Sequence, residues 1–312
     1  MGDGRGSIAV EPGAARDAAR TDAAPSVVLL AGGLRPTPLA AESGVQPIWL
    51  CPDGETTLLT NWVHRLGRLA GPGARGDAID VRVVFDTSRD AAQTPTQVGR
   101  ARVVFVSESA QYRGPAGVVK DITGQFGSGG VVLIAEANRW LTEDLTPMLA
   151  AHIDRGAAVT VARQADGSPA GVYLAGARAL DLIPAKGFMD LKEQWLARVM
   201  TAGLDVVVHT FLGAGAPAVR TREDLLSVAR GSAPRADGPW RVVSGRAEVD
   251  PSAVIVESVV MAGARAEAGA IVARSVLAPG SVAAEGSRHV DAVLPGDAAR
   301  AARMSLEVED AR

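Results

Sequence analysis

Short apolar runs rich in Val, Leu and Ile recur along the first two thirds of the chain. Each run is bounded by polar residues or glycine, and each has the length of a buried strand rather than of a helix. These predicted strands occupy residues 26–30, 81–85, 103–106, 131–135, 158–163, 171–174 and 206–210.

Amphipathic segments lie between those strands and predict helices. The helices are expected at residues 57–69, 145–155, 191–202 and 221–230. In the first of them Leu58, Trp62 and Leu66 share one face at helical spacing, and in the last Thr221 is a suitable N-cap. Buried strands that alternate with amphipathic helices indicate an α/β domain at 26–230, with a mostly parallel, Rossmann-like sheet.

The periodicity changes after residue 240. Residues 258–269 align with residues 275–286 at a constant offset of 17. The coinciding pairs are Ser258 and Ser275, Val259 and Val276, Gly263 and Gly280, Ala266 and Ala283, and Gly269 and Gly286. A repeat of this size predicts a short β-solenoid of three-stranded coils at 240–296. The alternative is an irregular tail rich in Ala and Gly.

The other segments carry no apolar periodicity. We expect a disordered tail at residues 1–25 and a polar C-terminal tail at 297–312. Residues 231–239 are rich in Ser, Ala, Pro and Gly, which predicts a linker between the two domains.

Composition and charge narrow the function classes. The 312 residues carry a formal net charge of −3, which argues against a general nucleic-acid binder. The single cysteine, Cys51, excludes an internal disulfide and a cysteine-based zinc site. The apolar runs are too short to span a bilayer, and the N-terminus lacks the pattern of a secretory signal. We therefore expect a cytoplasmic protein with no membrane partner.

The turn after the first strand is the main candidate for chemistry. Gly32 and Gly33 follow the strand after one residue, Ala31, and Arg35 comes two positions after Gly33. Glycines let the backbone approach a ligand, and backbone N–H groups in such a turn can hold phosphate oxygens. The alternative is a tight turn without a ligand.

This loop carries a resemblance to a known family. The stretch Leu30-Ala-Gly-Gly-Leu-Arg-Pro-Thr-Pro-Leu39 is similar to the loop Gly-Gly-x-Gly-Thr-Arg-Leu-x-Pro-Leu-Thr of the sugar-1-phosphate nucleotidyltransferases, or nucleotide-sugar pyrophosphorylases. Later segments resemble further motifs of that family in the same order, at 114–117, 131–149, 188–192 and 218–226. The repeat resembles the left-handed β-helix of the mannose-1-phosphate guanylyltransferase and glucose-1-phosphate adenylyltransferase branches. The resemblance runs from about residue 26 to 294.

The resemblance implies a site as well as a fold. In this family a sugar-1-phosphate oxygen attacks the α-phosphate of a nucleoside triphosphate and pyrophosphate leaves, with Mg²⁺ held by two Asp residues. Arg35 and Asp190 are the catalytic candidates that it implies, although Asp190 also suits the N-cap of the helix at 191–202. The implied nucleotide-binding residues are Ala31, Gly32, Gly33, Arg35, Gly114, Ala116 and Gly117.

Three departures from the family pattern affect catalysis. No Lys lies near Gly44-Val-Gln-Pro47, where the family's Pro-Lys is expected. The first metal Asp falls on Asn138 and the second on Ala218, which cannot bind a cation. Glu136 lies close to the first position and is a candidate replacement ligand, together with Asn138.

Two functions follow from the resemblance. In the first, a catalytically impaired relative acts by binding a nucleotide, nucleotide sugar or sugar phosphate, or by homo- or hetero-oligomerisation through its β-helix. In the second, the chain still forms a nucleotide sugar with Mg²⁺ as cofactor. A third possibility rests on His289 in the repeat, because acyltransferases with left-handed β-helices often use a histidine.

Overall fold

The computed structural model describes residues 24–32, 35–70, 78–85, 96–108, 112–124, 126, 130–233, 238–298 and 301. The predicted terminal tails therefore lie almost wholly outside the described residues, as do Gly33 and residues 234–237 of the predicted linker. Among the described residues, no helix has the length and apolar character that crossing a membrane requires.

An eight-stranded mixed sheet forms the centre of the first part of the chain. Its strand order is β3-β4-β2-β1-β5-β7-β6-β8. The strands are β1 (Ser26–Leu30), β2 (Ile79–Phe85), β3 (Thr96–Val98), β4 (Ala101–Ser107), β5 (Val132–Glu136), β6 (Val159–Arg163), β7 (Pro169–Ala175) and β8 (Val206–Thr210).

Helices connect these strands and cover the sheet. They are α1 (Pro38–Ser43), α2 (Leu58–Leu66), α3 (Gly114–Thr123), α4 (Thr146–Arg155), α5 (Ala177–Leu180), α6 (Leu196–Thr201) and α7 (Arg222–Ser232). Short 3₁₀ turns lie at Pro47–Trp49 and Gly67–Leu69, and a π-helical turn at Leu191–Trp195 precedes α6.

The α/β prediction is confirmed, and all seven predicted strands are present. Apolar runs buried on both faces suit a central parallel strand, and β1 pairs in parallel with β2 and β5. Two strands depart from the parallel pattern, since β3 and β7 run antiparallel to their neighbours. Parallel and antiparallel strands have the same apolar signature when both faces are buried, so the sequence did not reveal the direction of β7. No strand was predicted at β3, which is only partly buried.

The helix predictions hold with changes at the ends. The helix predicted at 57–69 closes with a 3₁₀ turn after Leu66, and the one at 191–202 opens as a π turn. Thr221 caps α7 in a capping box with Asp224. This last helix continues through Ser232, two residues into the predicted linker.

The repeat segment, residues 241–294, consists of ten short strands that visit three sheets in turn. One sheet contains β9 (Arg241–Val243), β12 (Ser258–Val260), β15 (Val276–Leu277) and β18 (Val293–Leu294). The other two contain β10 (Glu248–Val249), β13 (Arg265–Ala266) and β16 (Val282–Ala283), and β11 (Val254–Val256), β14 (Ile271–Ala273) and β17 (Arg288–Val290).

Every pairing in the repeat segment joins residues 17 apart. Val259 lies beside Val276, and Val276 beside Val293, in parallel register. The predicted offset is therefore confirmed, and the irregular-tail alternative is wrong. Polar groups follow the same period, since the Ser258 hydroxyl accepts a hydrogen bond from the backbone N–H of Ser275.

The two parts of the chain share apolar packing. Val242, Val259, Met261 and Val276 of the repeat segment belong to the same buried cluster as α2 and one face of the large sheet. A second cluster covers the other face of that sheet, and a third lies within the repeat segment alone. The repeat segment is thus docked on the α/β part.

Candidate functional site

A cavity of about 260 Å³ opens at the carboxyl ends of β1 and β5. Leu30 and Glu136, the last residues of these parallel strands, lie side by side in register. In open α/β sheets this edge is where ligands bind. The lining residues are Leu30, Gly32, Pro115, Ile134, Ala135, Glu136, Asn138, Tyr173, Asp190, Leu191, Lys192 and Arg220.

Glu136 lies at the centre of a cluster of three cations. Its Oε2 is 2.8 Å from Arg139 Nη2 and 2.7 Å from Arg220 Nη2. Its Oε1 is 3.0 Å from Lys192 Nζ. Both carboxylate oxygens are therefore engaged by positive groups.

The ionisation of Glu136 follows from these neighbours. Burial by itself raises the pKa of the carboxyl group, but Arg139, Lys192 and Arg220 outweigh burial and lower the pKa to about 2. Glu136 is consequently a fixed negative charge near neutral pH. Tyr173, which lines the same cavity, has its pKa raised by burial and by the nearby Glu136.

Arg139 is the buried member of the cluster. Its side chain is only 7% exposed, and its Nη1 donates to the carbonyl of Ala216. Space for this guanidinium comes from Gly171 in β7, where a Cβ atom would overlap Arg139. Gly171 has a φ of +68°, close to a register shift between β6 and β7.

Two segments bring together Asn138 and Ala218, the positions on which the resemblance places the two metal Asp residues. The carbonyl of Asn138 accepts a hydrogen bond from the N–H of Val219, and Arg139 bridges Ala218 in antiparallel fashion. Arg220 reaches Glu136 from this second segment. Oδ1 of Asn138 is buried and has no hydrogen-bond partner among the described residues.

Asp190 caps the helical turn that carries Lys192. Its Oδ1 accepts hydrogen bonds from the backbone N–H groups of Lys192 at 2.6 Å and Glu193 at 2.9 Å. The N-cap alternative for Asp190 is confirmed. Because Asp190 also lines the cavity, the cap holds Lys192 at the cavity wall.

In the predicted phosphate loop, two backbone N–H groups bind the protein backbone itself. The N–H groups of Ala31 and Gly32 both donate to the carbonyl of Val84, so they are already occupied. Arg35 is exposed and does not line the cavity. Gly33 lies outside the described residues. Of the three described residues in this group, Ala31, Gly32 and Arg35, only Gly32 lines the cavity.

The second predicted nucleotide-binding segment, residues 114–117, forms the first turn of α3. Gly114, Ala116 and Gly117 are buried, and the N–H of Ala116 donates to the carbonyl of Met189. A Cβ at Gly114 would lie 2.6 Å from the Phe188 ring, which requires glycine there. Pro115, rather than these three residues, lines the cavity.

A smaller cavity of about 70 Å³ adjoins the first and shares Leu30, Gly32 and Pro115 with it. Tyr112 lines this smaller cavity, and its ring packs against Phe188 with centroids 5.2 Å apart. Both aromatic side chains are about half exposed. The two ring planes are tilted by 32° and form an exposed apolar surface at the rim of the site, against which a planar or sugar ring can pack.

The donor set does not fit Mg²⁺. Among the described residues no group of three or more His, Cys, Asp or Glu is placed to hold a metal. Glu136 is shared by three cations, and Oδ1 of Asp190 is engaged as a helix cap. Mg²⁺ prefers several hard anionic oxygens, and here it would meet Arg139, Lys192 and Arg220 instead.

The sequence pointed to Glu136 and Asn138 as candidate metal ligands and to Asp190 as a catalytic candidate. It did not point to the site residues Arg139, Tyr173, Lys192 and Arg220. Lys192 and Arg220 lie within the segments 188–192 and 218–226 that carry the resemblance. The usable signal was the presence of two basic residues in motifs that were expected to supply acidic ones.

No family model matches the chain, and no curated protein matches it.

Proposed function

We propose that this protein is a divergent relative of the sugar-1-phosphate nucleotidyltransferases that binds a phosphorylated sugar or nucleotide and does not transfer a nucleotidyl group. One observation carries the proposal. The cavity at the carboxyl ends of β1 and β5 presents a carboxylate neutralised by Arg139, Lys192 and Arg220, where the family's reaction needs carboxylates available for Mg²⁺.

Several features support a retained ligand site. The cavity lies at the sheet edge where α/β proteins bind ligands, and basic groups line it. The segments 138–140 and 217–219 pair with each other, as the resemblance requires for two positions that share one metal. A separate feature argues against nucleotidyl transfer. Loss of both metal carboxylates removes the charge neutralisation on which phosphoryl-type transfer depends.

The repeat segment is the proposed association surface. We propose that its coils are left-handed, as in the family branches that it resembles, and that they mediate homo- or hetero-oligomerisation. Among the described residues β16 and β17 pair on one side only, and such strand edges are ready to bind another chain. Light scattering at high protein concentration tests this, because a strict monomer contradicts it.

One assay separates binding from catalysis. The full chain is incubated with Mg²⁺, each common nucleoside triphosphate and several sugar 1-phosphates, and pyrophosphate release is measured. We expect no pyrophosphate release above that of the same mixture without the protein. Turnover above this control would show an active transferase that uses Mg²⁺. A thermal-shift measurement with the same ligands tests binding, and no shift at millimolar ligand contradicts a retained cleft.

A further inference from the structure

Lys192 and Arg220 differ from Arg139 in how much of their hydrogen-bonding capacity is used. Arg139 is almost fully buried, and its Nε, Nη1 and Nη2 groups are all engaged. Lys192 and Arg220 each have a side chain that is 45% exposed, and within the described part of the chain each makes a single hydrogen bond, to Glu136. An ammonium group has three donors and a guanidinium has five, so both retain donors at the cavity wall.

The charge at this wall favours an anion over a cation. Three cations surround the single carboxylate of Glu136, which leaves a positive excess even when Asp190 is included. An incoming phosphate would gain charge-assisted hydrogen bonds from Lys192 and Arg220. A divalent cation at the same place would be repelled by all three basic groups.

The size and remaining polarity of the cavity restrict the rest of the ligand. At about 260 Å³ the cavity is smaller than the roughly 300–1,000 Å³ that drug-sized ligands occupy, so it suits a sugar phosphate better than a complete nucleotide sugar. Oδ1 of Asn138 is a buried acceptor that has no partner among the residues that the structure describes. Unsatisfied buried acceptors are costly, and a sugar hydroxyl is the kind of donor that would satisfy this one.

We infer that the cavity binds a sugar monophosphate without a divalent cation. Lys192 and Arg220 hold the phosphate, and Oδ1 of Asn138 accepts a hydrogen bond from a sugar hydroxyl. In this arrangement Glu136 is a positioning residue that keeps the two basic side chains at the cavity wall. The inference rests on the proposed ligand-binding function and names its substrate class and its independence of metal.

Isothermal titration calorimetry on the full chain tests this directly. The probes are glucose 1-phosphate, mannose 1-phosphate, inorganic phosphate and ATP, each titrated in EDTA and again in Mg²⁺. We expect at least one sugar phosphate to bind in EDTA, with a Kd that changes less than about twofold when Mg²⁺ is added. Binding should weaken as salt is added, because the attraction is between charges.

Matched variants locate the site. Lys192→Gln and Arg220→Gln should each weaken sugar-phosphate binding by about tenfold or more, the loss expected for one charged hydrogen bond. Lys186→Gln and Arg155→Gln change exposed basic residues outside the cavity, and we expect them to leave the Kd unchanged. Asn138→Ala should weaken the sugar phosphates but not inorganic phosphate. Thermal unfolding checks that each variant is folded.

The outcomes distinguish the two proposals. Sugar-phosphate binding that requires Mg²⁺, or that is insensitive to Lys192→Gln and Arg220→Gln, overturns the inference and leaves the proposed function standing. Binding of ATP but of neither sugar phosphate has the same meaning. No binding of any probe under either condition overturns both.

Discussion

At the residue scale, Glu136 shows how neighbours redefine a candidate ligand. A carboxylate at the end of β5 was expected to help hold Mg²⁺. In the fold Arg139 and Arg220 approach one of its oxygens and Lys192 the other. The same carboxylate therefore organises basic groups around a cavity, which is the opposite electrostatic role.

The lowered pKa of Glu136 predicts a pH-dependent contribution to stability. The pKa falls from 4.5 to about 2 on folding, so the stabilisation is complete above pH 4.5 and is lost as pH falls from there towards 2. At about 1.4 kcal/mol per pKa unit, the contribution is roughly 3 kcal/mol. Glu136→Gln should lower the free energy of unfolding by about that amount at pH 7.

Urea denaturation between pH 7 and pH 3 measures this effect. The difference between the parent chain and Glu136→Gln should shrink as pH falls, because protonation removes the same charge in the parent. Glu42→Gln is the control, since Glu42 is exposed. A difference that stays constant with pH would contradict the assigned role of the ion pairs.

Asp190 gives a second prediction at this scale. Its Oδ1 accepts two backbone N–H groups at the start of the turn that carries Lys192. Asp190→Ala should cost about 1 kcal/mol of stability, whereas Asp190→Asn keeps an acceptor and should cost only a few tenths. Urea denaturation of both variants measures the difference. Equal losses in the two variants would contradict the cap.

At the scale of elements, strand β7 provides the space in which Arg139 lies beside Glu136. Gly171 lies within this strand with a φ of +68°, and its missing side chain leaves room for Arg139. The strand runs antiparallel between β5 and β6. The position of Arg139 therefore depends on the path of a strand that contributes only Tyr173 to the cavity lining.

Gly171→Ala should destabilise the protein by two separate mechanisms. The new Cβ overlaps Arg139, and the left-handed backbone is unfavourable for alanine by roughly 1–2 kcal/mol. Gly156→Ala is the matched control, because Gly156 has a φ of +60° with no atom near its missing side chain. Urea denaturation should show a larger loss for Gly171→Ala than for Gly156→Ala. Equal losses would mean that Arg139 moves aside without cost.

At the scale of the whole molecule, the repeat segment and the α/β part are joined by shared apolar packing. Met261 is fully buried in the cluster that also contains α2 and one face of the large sheet. A continuous core of this kind predicts that both parts unfold together. The repeat segment is then a structural part of the molecule as well as the proposed association surface.

Met261→Ala tests the shared core. Loss of a buried methionine side chain should cost roughly 2–5 kcal/mol, and the helical circular dichroism signal should reveal it although Met261 lies in the repeat segment. Val282→Ala, at a partly exposed position of β16, should change stability by less than about 0.5 kcal/mol. Two separate unfolding transitions would contradict the shared core.

The sequence by itself determined seven strands of the large sheet, four of the helices and the repeat, but not β3, α1, α3 or α5. Strands such as β1 and β8, the capping box at Thr221 and the offset of 17 are all written in local patterns of apolar, small and capping residues. Local patterns determine these features because each depends on residues within one strand, one helical turn or one coil. They did not reveal the antiparallel direction of β7, which depends on its neighbours.

Only the tertiary structure decided the chemistry of the site. Lys192 and Arg220 are 56 and 84 positions from Glu136 along the chain, yet both donate hydrogen bonds to its carboxylate. No local pattern encodes such a meeting, because it follows from which strands lie side by side and where their carboxyl ends point. The charge around Glu136, and with it the preference for an anion over Mg²⁺, is a property of the folded arrangement.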